Sequence, residues 1–273
     1  MRRCACRGTA GFVHVSCLAE QAKILMDEAE ANNLDAEVRA PIFLRFQTCS
    51  LCEQNHHGVV LHALGWACWR TYLGRPERDG LRVMAMTLLG NGLSAVQRHD
   101  ERLTVLEAEL AIQRRLGFSE AMLLDSKADV ANLYDEIGRH QEALEFLREV
   151  YAKSKEFSVG APDTFKYANN LATSLLRCER YEEVKPFLRA TIPEAARELG
   201  TEDATVLTLR INYASALISE GRSRDDLVEA VALLEELSST ARRIFGTAHP
   251  TMMTINGNLE SARSKLASFA AAP

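Results

Sequence analysis

From Leu81 onward the chain repeats itself, and that repetition restricts the fold more than any other feature. Ala131, Ala172 and Ala214 align at intervals of 41 and 42 residues. The words around them, Asp129 to Arg139, Asn170 to Arg180 and Asn212 to Arg222, share an order: a small residue, an apolar stripe at helical spacing, then a turn ending in arginine. A weaker copy puts Gly90 at the alanine and Arg98 at the arginine. A second marker recurs where Gly160, Gly200 and Gly246 precede Thr164, Thr205 and Thr251. A period of this length holds two helices and their connections. One helix pair cannot bury its apolar stripe alone, whereas stacked neighbours can, so the expectation is mostly α, an α-solenoid of helix pairs.

The same register gives the details. The alanines let the helices approach closely. Gly138 and Gly221 supply the tight turns, where a positive φ is tolerated, and Glu179 stands in that place in the middle unit. The fourth unit holds about four extra positions near Ser223 to Val228. His249 to Phe269 reads as a first helix without its partner, a C-terminal cap.

The first fifty-two residues carry a different pattern: Cys4 and Cys6, then His14 and Cys17, then Cys49 and Cys52. These are C-x-C, H-x2-C and C-x2-C pairs, the residue types and spacings with which zinc builds a tetrahedral shell of thiolate and imidazole. The cofactor implied is Zn2+, and buried thiols are the plain alternative. Seven cysteines, an odd number, argue against a disulfide framework and for a reducing compartment, cytoplasm or nucleus. Domain organisation reads as a zinc-finger lobe over 1–57, a connecting helix and linker over 58–80, and the repeat array over 81–270. Within the lobe a helix is expected from Leu18 to Ala31, with Leu18, Ala22, Leu25 and Ala29 on one face, and Pro41 is expected to stop anything helical. Gly58 to Leu73 reads as a helix whose Trp66, Trp69 and Tyr72 pack the lobe onto the next segment. His56 and His57 read as flanking that helix, with zinc ligation the alternative, and Cys68 as buried.

The block from Cys4 to Leu18, with Cys49 and Cys52, resembles the later three-quarters of a RING-CH zinc finger, found in a class of ubiquitin ligases. The resemblance implies that Cys4, Cys6, Cys49 and Cys52 share one zinc and that His14 and Cys17 belong to a second site. The partner pair of that second site would lie upstream of Cys4. It implies a ubiquitin-conjugating enzyme as partner. The family's tryptophan before the last pair is Phe46 here, and its proline is Ser50. The repeats resemble the longer tetratricopeptide repeats of kinesin light chains, over roughly residues 81–268. That resemblance implies a groove lined by the first helix of each pair. It would place Asn91, Asn132, Lys166, Asn169, Asn170, Arg177 and Asn212 in the groove, with Thr173 and Ser215 alongside and Asp125, Asp129, Asp135 and Glu136 crowding the second unit. An asparagine amide both donates and accepts, which suits a peptide backbone. The plain alternative for each is a solvated surface position.

Other classes find no support. A net charge of −5 and a pI of about 5.9 leave no basic footprint for nucleic acid. The apolar stretch from Val59 to Trp69 contains His62 and is too short to span a bilayer. His99, His140 and His249 fall far apart in repeat register, and no glycine-rich phosphate loop follows a strand. Two functions stand from this reading: a ubiquitin-ligase-like protein whose repeats select the substrate, or a non-catalytic scaffold that binds peptides.

Overall fold

The computed structural model describes residues 14–50, 53–157, 161–220, 223–247 and 249–271. Among them, helix is the regular secondary structure, with one isolated bridge between Thr48 and Asn55. The chain forms two compact units, Met1–Ser126 and Lys127–Pro273.

The first unit holds α1 (Val15–Ala31), α2 (Ala36–Phe43), a 3-10 turn (Leu44–Phe46), α3 (Gly58–Tyr72), α4 (Gly80–Ser94), α5 (His99–Leu116) and the start of α6 (Glu120–Glu136). Its core gathers Ala22 and Met26 of α1, Phe43 and Phe46, Cys68 and Tyr72 of α3, and Ala85 and Leu88 of α4. The rings of Phe43, Phe46 and Tyr72 meet at 5.8 to 6.1 Å. Three expectations change here. The buried line of α1 is Ala22, Met26 and Ala29, not the line through Leu25, which turns to a shallow surface groove beside Ile24. The buried line of α3 is Val60, Leu64, Cys68 and Tyr72 at four-residue spacing; Tyr72 enters the core and Trp69 packs against it as expected, while Trp66 donates to His62 at 3.1 Å. Pro41 lies inside α2. Asp35 caps that helix by accepting from the Val38 N–H at 2.9 Å, so the single bond that proline deletes is tolerated in a helix ending two residues later.

α3 and α4 approach each other through glycine. A Cβ on Gly65 would meet the Leu88 carbonyl oxygen at 2.9 Å, and one on Gly92 would meet His62 Cα at 2.9 Å. Across the unit, Arg75 grips Glu30 with two bonds of 2.6 and 2.9 Å and reaches Asp79 at 3.3 Å. The Arg75 hydrogen bond holds the Glu30 carboxyl below the ordinary carboxylate range, against the opposing pull of burial. A depressed carboxylate stabilises the fold above its unfolded pKa of about 4.3 and loses that contribution as pH falls further. Glu30→Gln is therefore expected to cost about 1 to 2 kcal/mol at pH 7, a deficit that shrinks toward pH 3. Urea midpoints read by tryptophan fluorescence at both pH values check this, because both tryptophans, Trp66 and Trp69, sit in α3.

The second unit holds the rest of α6, α7 (His140–Glu156), α8 (Ala161–Arg177), α9 (Tyr181–Leu199), α10 (Ala204–Glu220), α11 (Arg224–Phe245) and α12 (Pro250–Ala271). The aligned alanines Ala131, Ala172 and Ala214 are fully buried. The turns that end α4, α6 and α8 repeat one geometry. The N–H of Arg98, Arg139 and Arg180 returns to the carbonyl of Leu93, Tyr134 and Leu175 at 2.8 to 3.0 Å. The residue immediately before each arginine, Gln97, Gly138 and Glu179, carries the positive φ, at 58°, 84° and 56°. Only Gly138 does so without strain, since a left-handed conformation costs other residues about 1 kcal/mol. Glu179→Gly is expected to raise stability by about 0.5 to 1 kcal/mol, measured as an upward shift of the urea midpoint. An unchanged or lower midpoint would show that the turn is not strained.

Candidate functional site

Helical spacing turns one stripe of each first helix to solvent. On α4 the stripe is Met84, Thr87 and Asn91, all exposed. On α6 it runs through Asp125, Asp129, Asn132 and Glu136, on α8 through Asp163, Lys166, Asn169, Asn170, Thr173 and Arg177, and on α10 through Thr205, Thr208, Asn212 and Ser215. With one exception, every residue expected in the groove lies on such a stripe and is at least partly exposed. The exception is Asp135: it is buried, and its carboxylate faces His140 Nδ1 at 2.9 Å across the α6–α7 turn.

The sequence pattern does not reveal that these amides bind each other. Asn212 Nδ2 donates to Asn169 Oδ1 at 2.9 Å and to Thr173 Oγ1 at 3.2 Å. One repeat on, Asn258 Nδ2 donates to Ser215 Oγ at 2.9 Å. Lys265 donates to the Ile218 carbonyl at 2.7 Å, tying the end of α10 to α12. Polar side chains thus join α8, α10 and α12 along one line. The signal that could have found it is spacing: Asn169 to Asn212 and Ser215 to Asn258 are both 43 residues apart. Charge varies along the stripes. α6 is acidic, α8 carries Lys166 (3.3 Å from Asp163) and Arg177, and α10 presents hydroxyls and amides.

Of the candidate zinc ligands, Cys4, Cys6 and Cys52 lie outside the described residues. His14 is the residue before α1, and its carbonyl accepts from the Cys17 N–H at 3.1 Å, so this pair straddles a helix start with Cys17 exposed. Cys49 lies in a hairpin. Its N–H donates to the Gln54 carbonyl, and its carbonyl accepts from the Glu53 N–H, both at 2.9 Å, with Glu53 at φ 55°. Among the described residues no three His, Cys, Asp or Glu side chains gather as a metal site. His56 is buried with Nε2 unpartnered, and burial pushes its pKa down.

The helix pairs also match known proteins. Residues 123–156, which span α6 and α7, match the tetratricopeptide repeat family. The crystal structure of a putative kinesin light chain from Podosopora anserina, with nearly identical TPR-like repeats, is similar at 20% identity over 86% of this chain and 99% of that one, with a TM-score of 0.53. BtubC (BKLC) from P. vanneervenii is similar at 14% identity over 96% and 94%, TM-score 0.50. The apo form of RapI is similar at 11% identity over 95% and 88%, TM-score 0.50. One helix pair thus matches the tetratricopeptide repeat family, and the array shares the fold of a solenoid of such helix pairs. At these identities the likeness concerns the fold. No curated protein matches the sequence. Among the described residues no helix is long and apolar enough to cross a membrane.

Proposed function

We propose that the chain is a non-catalytic adaptor that holds an extended peptide of another protein along the first-helix stripes of α8, α10 and α12. The observation that carries this reading is the line of bonded amides and hydroxyls. Both hydrogens of Asn212 Nδ2 are engaged by α8, which fixes the amide plane and leaves Oδ1 as an acceptor. Asn169 gives up its Oδ1 and keeps its Nδ2 donors. A held acceptor beside a held donor matches a peptide group, whatever side chain the peptide bears. Because the repeats fix these groups before binding, less ordering entropy opposes association.

The test is a peptide display selection on the full chain, followed by anisotropy titration of the recovered sequences. Asn169→Ala with Asn212→Ala is expected to weaken binding at least about tenfold, the loss of one or two charge-neutral hydrogen bonds in a desolvated groove. Failure to recover any peptide, or affinity indifferent to the double substitution, would remove the reading.

A second reading concerns the N-terminal lobe and is favoured by the hairpin at Cys49. There, Cys4, Cys6, Cys49 and Cys52 bind one zinc, and His14 with Cys17 belong to another site. The metal serves the folding of the lobe, since a structural zinc contributes on the order of 10 kcal/mol to a small module. Metal analysis of the purified chain is expected to return about one zinc per molecule, lost in Cys49→Ser. Docking of a ubiquitin-conjugating enzyme on this lobe is the ligase version of the same idea. Autoubiquitination by the zinc-loaded protein would establish it, and silence with a panel of such enzymes leaves the adaptor.

A further inference from the structure

The second helices of the C-terminal unit are bridged to one another, and the two bridges differ. Between α7 and α9 the rings of Tyr151 and Phe187 meet edge-on at 5.3 Å, with Arg148 paired to Glu183 beside them. The buried residues carry these positions forward. Ala143, Leu147, Val150 and Ser154 of α7 correspond to Val184, Leu188, Thr191 and Ala195 of α9, and to Ala230, Leu234, Leu237 and Ala241 of α11. In that register Arg148 becomes Arg189, Glu183 becomes Glu229, Tyr151 becomes Ile192 and Phe187 becomes Leu233. The ion pair is kept, with Arg189 3.6 Å from Glu229. The ring pair is not. In its place, between α9 and α11 and over Tyr213 of α10, is a cleft of about 460 Å³ with Ile192, Pro193, Ala232 and Leu233 as its apolar lining. It shares no residue with the amide line.

Two further features define what the cleft takes. Pro193 sits inside α9 and has no N–H to give the Arg189 carbonyl four residues back, and the rim carries the Glu229 and Glu236 carboxylates as acceptors. The charges that bracket the cleft are already matched. Arg189 donates to Tyr213 at 2.6 Å, Tyr213 donates to Glu229 at 2.8 Å, and Arg210 pairs with Glu236 at 2.7 Å. A charged occupant would have to break these pairs, whereas a neutral ring would stack beside the guanidiniums. The volume lies within the roughly 300–1,000 Å³ of small-ligand pockets.

We propose that this cleft is a second docking site, which takes a tyrosine side chain presented by a partner protein. The ring replaces the aromatic packing that the chain supplies for itself one repeat earlier with Tyr151, and the phenol O–H donates at the polar rim. The site is independent of the amide line, so it stands or falls without the peptide reading above.

The test uses the full chain with labelled isoleucine, leucine and alanine methyls, titrated with 4-methylphenol and followed by NMR. Saturable shifts are expected at Ile192, Leu233 and Ala232, and toluene, which has the ring without the hydroxyl, is expected to bind at least about fivefold more weakly, as loss of one hydrogen bond implies. A short tyrosine-containing peptide is expected to compete, and the same peptide with phenylalanine to compete less. Ile192→Tyr with Leu233→Phe rebuilds the ring pair and is expected to abolish the shifts with the thermal midpoint kept or raised. Absence of saturable shifts in the wild type would overturn the proposal whether or not that variant folds. Equal binding of toluene would overturn the hydrogen-bond claim, and undiminished binding by a folded filled variant would overturn the location.

Discussion

Replacing Gly92 with valine is expected to unfold the N-terminal unit at denaturant concentrations where the wild type is intact. The reason is backbone against backbone. A Cβ at Gly92 would lie 2.9 Å from His62 Cα and 3.1 Å from the Leu61 carbonyl oxygen, and neither can move without moving α3. Alanine alone forces α3 and α4 apart and is expected to cost about 1 to 3 kcal/mol, with valine at or above the upper figure. Gly65→Ala meets the Leu88 carbonyl oxygen at 2.9 Å from the opposite side of the same contact. The two substitutions relieve themselves by one common separation, so the double variant is expected to cost less than their sum. Gly257 supplies the control, because nothing lies within 4 Å of a Cβ there. It sits inside α12, so alanine is expected to stabilise by up to about 1 kcal/mol. Tryptophan fluorescence during urea unfolding isolates the effect, since Trp66 and Trp69 both belong to α3. A Gly92→Val midpoint within error of the wild type would mean that the helices do not touch as described.

This contact also shows what is legible in the sequence. Repeat register places the small residues Ala131, Ala172 and Ala214 in the core, because periodicity over 41 and 42 residues reports stacking directly. It cannot separate Gly90, which a Cβ would leave 3.9 Å from Val105, from Gly92, which admits none. That distinction depends on the crossing of α3 over α4, a tertiary matter. The polar stripes are legible for the same reason as the core, as its complement on each helix. Their hydrogen bonding is not, because a residue's face says nothing about how close its neighbour lies. Pro41 misleads because helix propensity alone leaves out the cap at Asp35. In the lobe, helical spacing places Ala22 and Ala29 of α1 correctly on the buried line and misses by one residue, about 100° around the helix, in taking Leu25 for Met26.

The second large effect is expected at Lys185, whose Nζ lies 2.6 Å from Glu220 and 2.8 Å from Asp226. These carboxylates end α10 and begin α11, so one ammonium from α9 ties together the two helices of the next pair. The three side chains are 17, 8 and 17% exposed, which places the cluster between a surface pair and a buried one. Lys185→Met keeps the length and deletes the charge, leaving two carboxylates facing each other without the lysine. Breaking a fully buried pair costs about 3 to 5 kcal/mol, and partial exposure lowers the expectation here to about 2 to 3. Burial alone would pull the Lys185 pKa down, but its bonds to Asp226 and Glu220 outweigh that and hold it above the usual lysine value. A raised lysine contributes fully below its unfolded pKa of about 10.4 and fades only above it. Wild-type stability from this cluster is therefore flat through neutral pH. The variant should behave differently. Two facing carboxylates hold each other's pKa up, so its deficit is expected to shrink as pH falls from 7 toward about 4.5. Glu220→Gln in the Lys185→Met background is expected to return part of the loss, because it removes one of the repelling charges without removing volume. A single-variant loss below about 0.5 kcal/mol, the level of a surface pair, or a deficit independent of pH, would show that solvent already screens the cluster and that α10 and α11 are joined by their apolar faces alone.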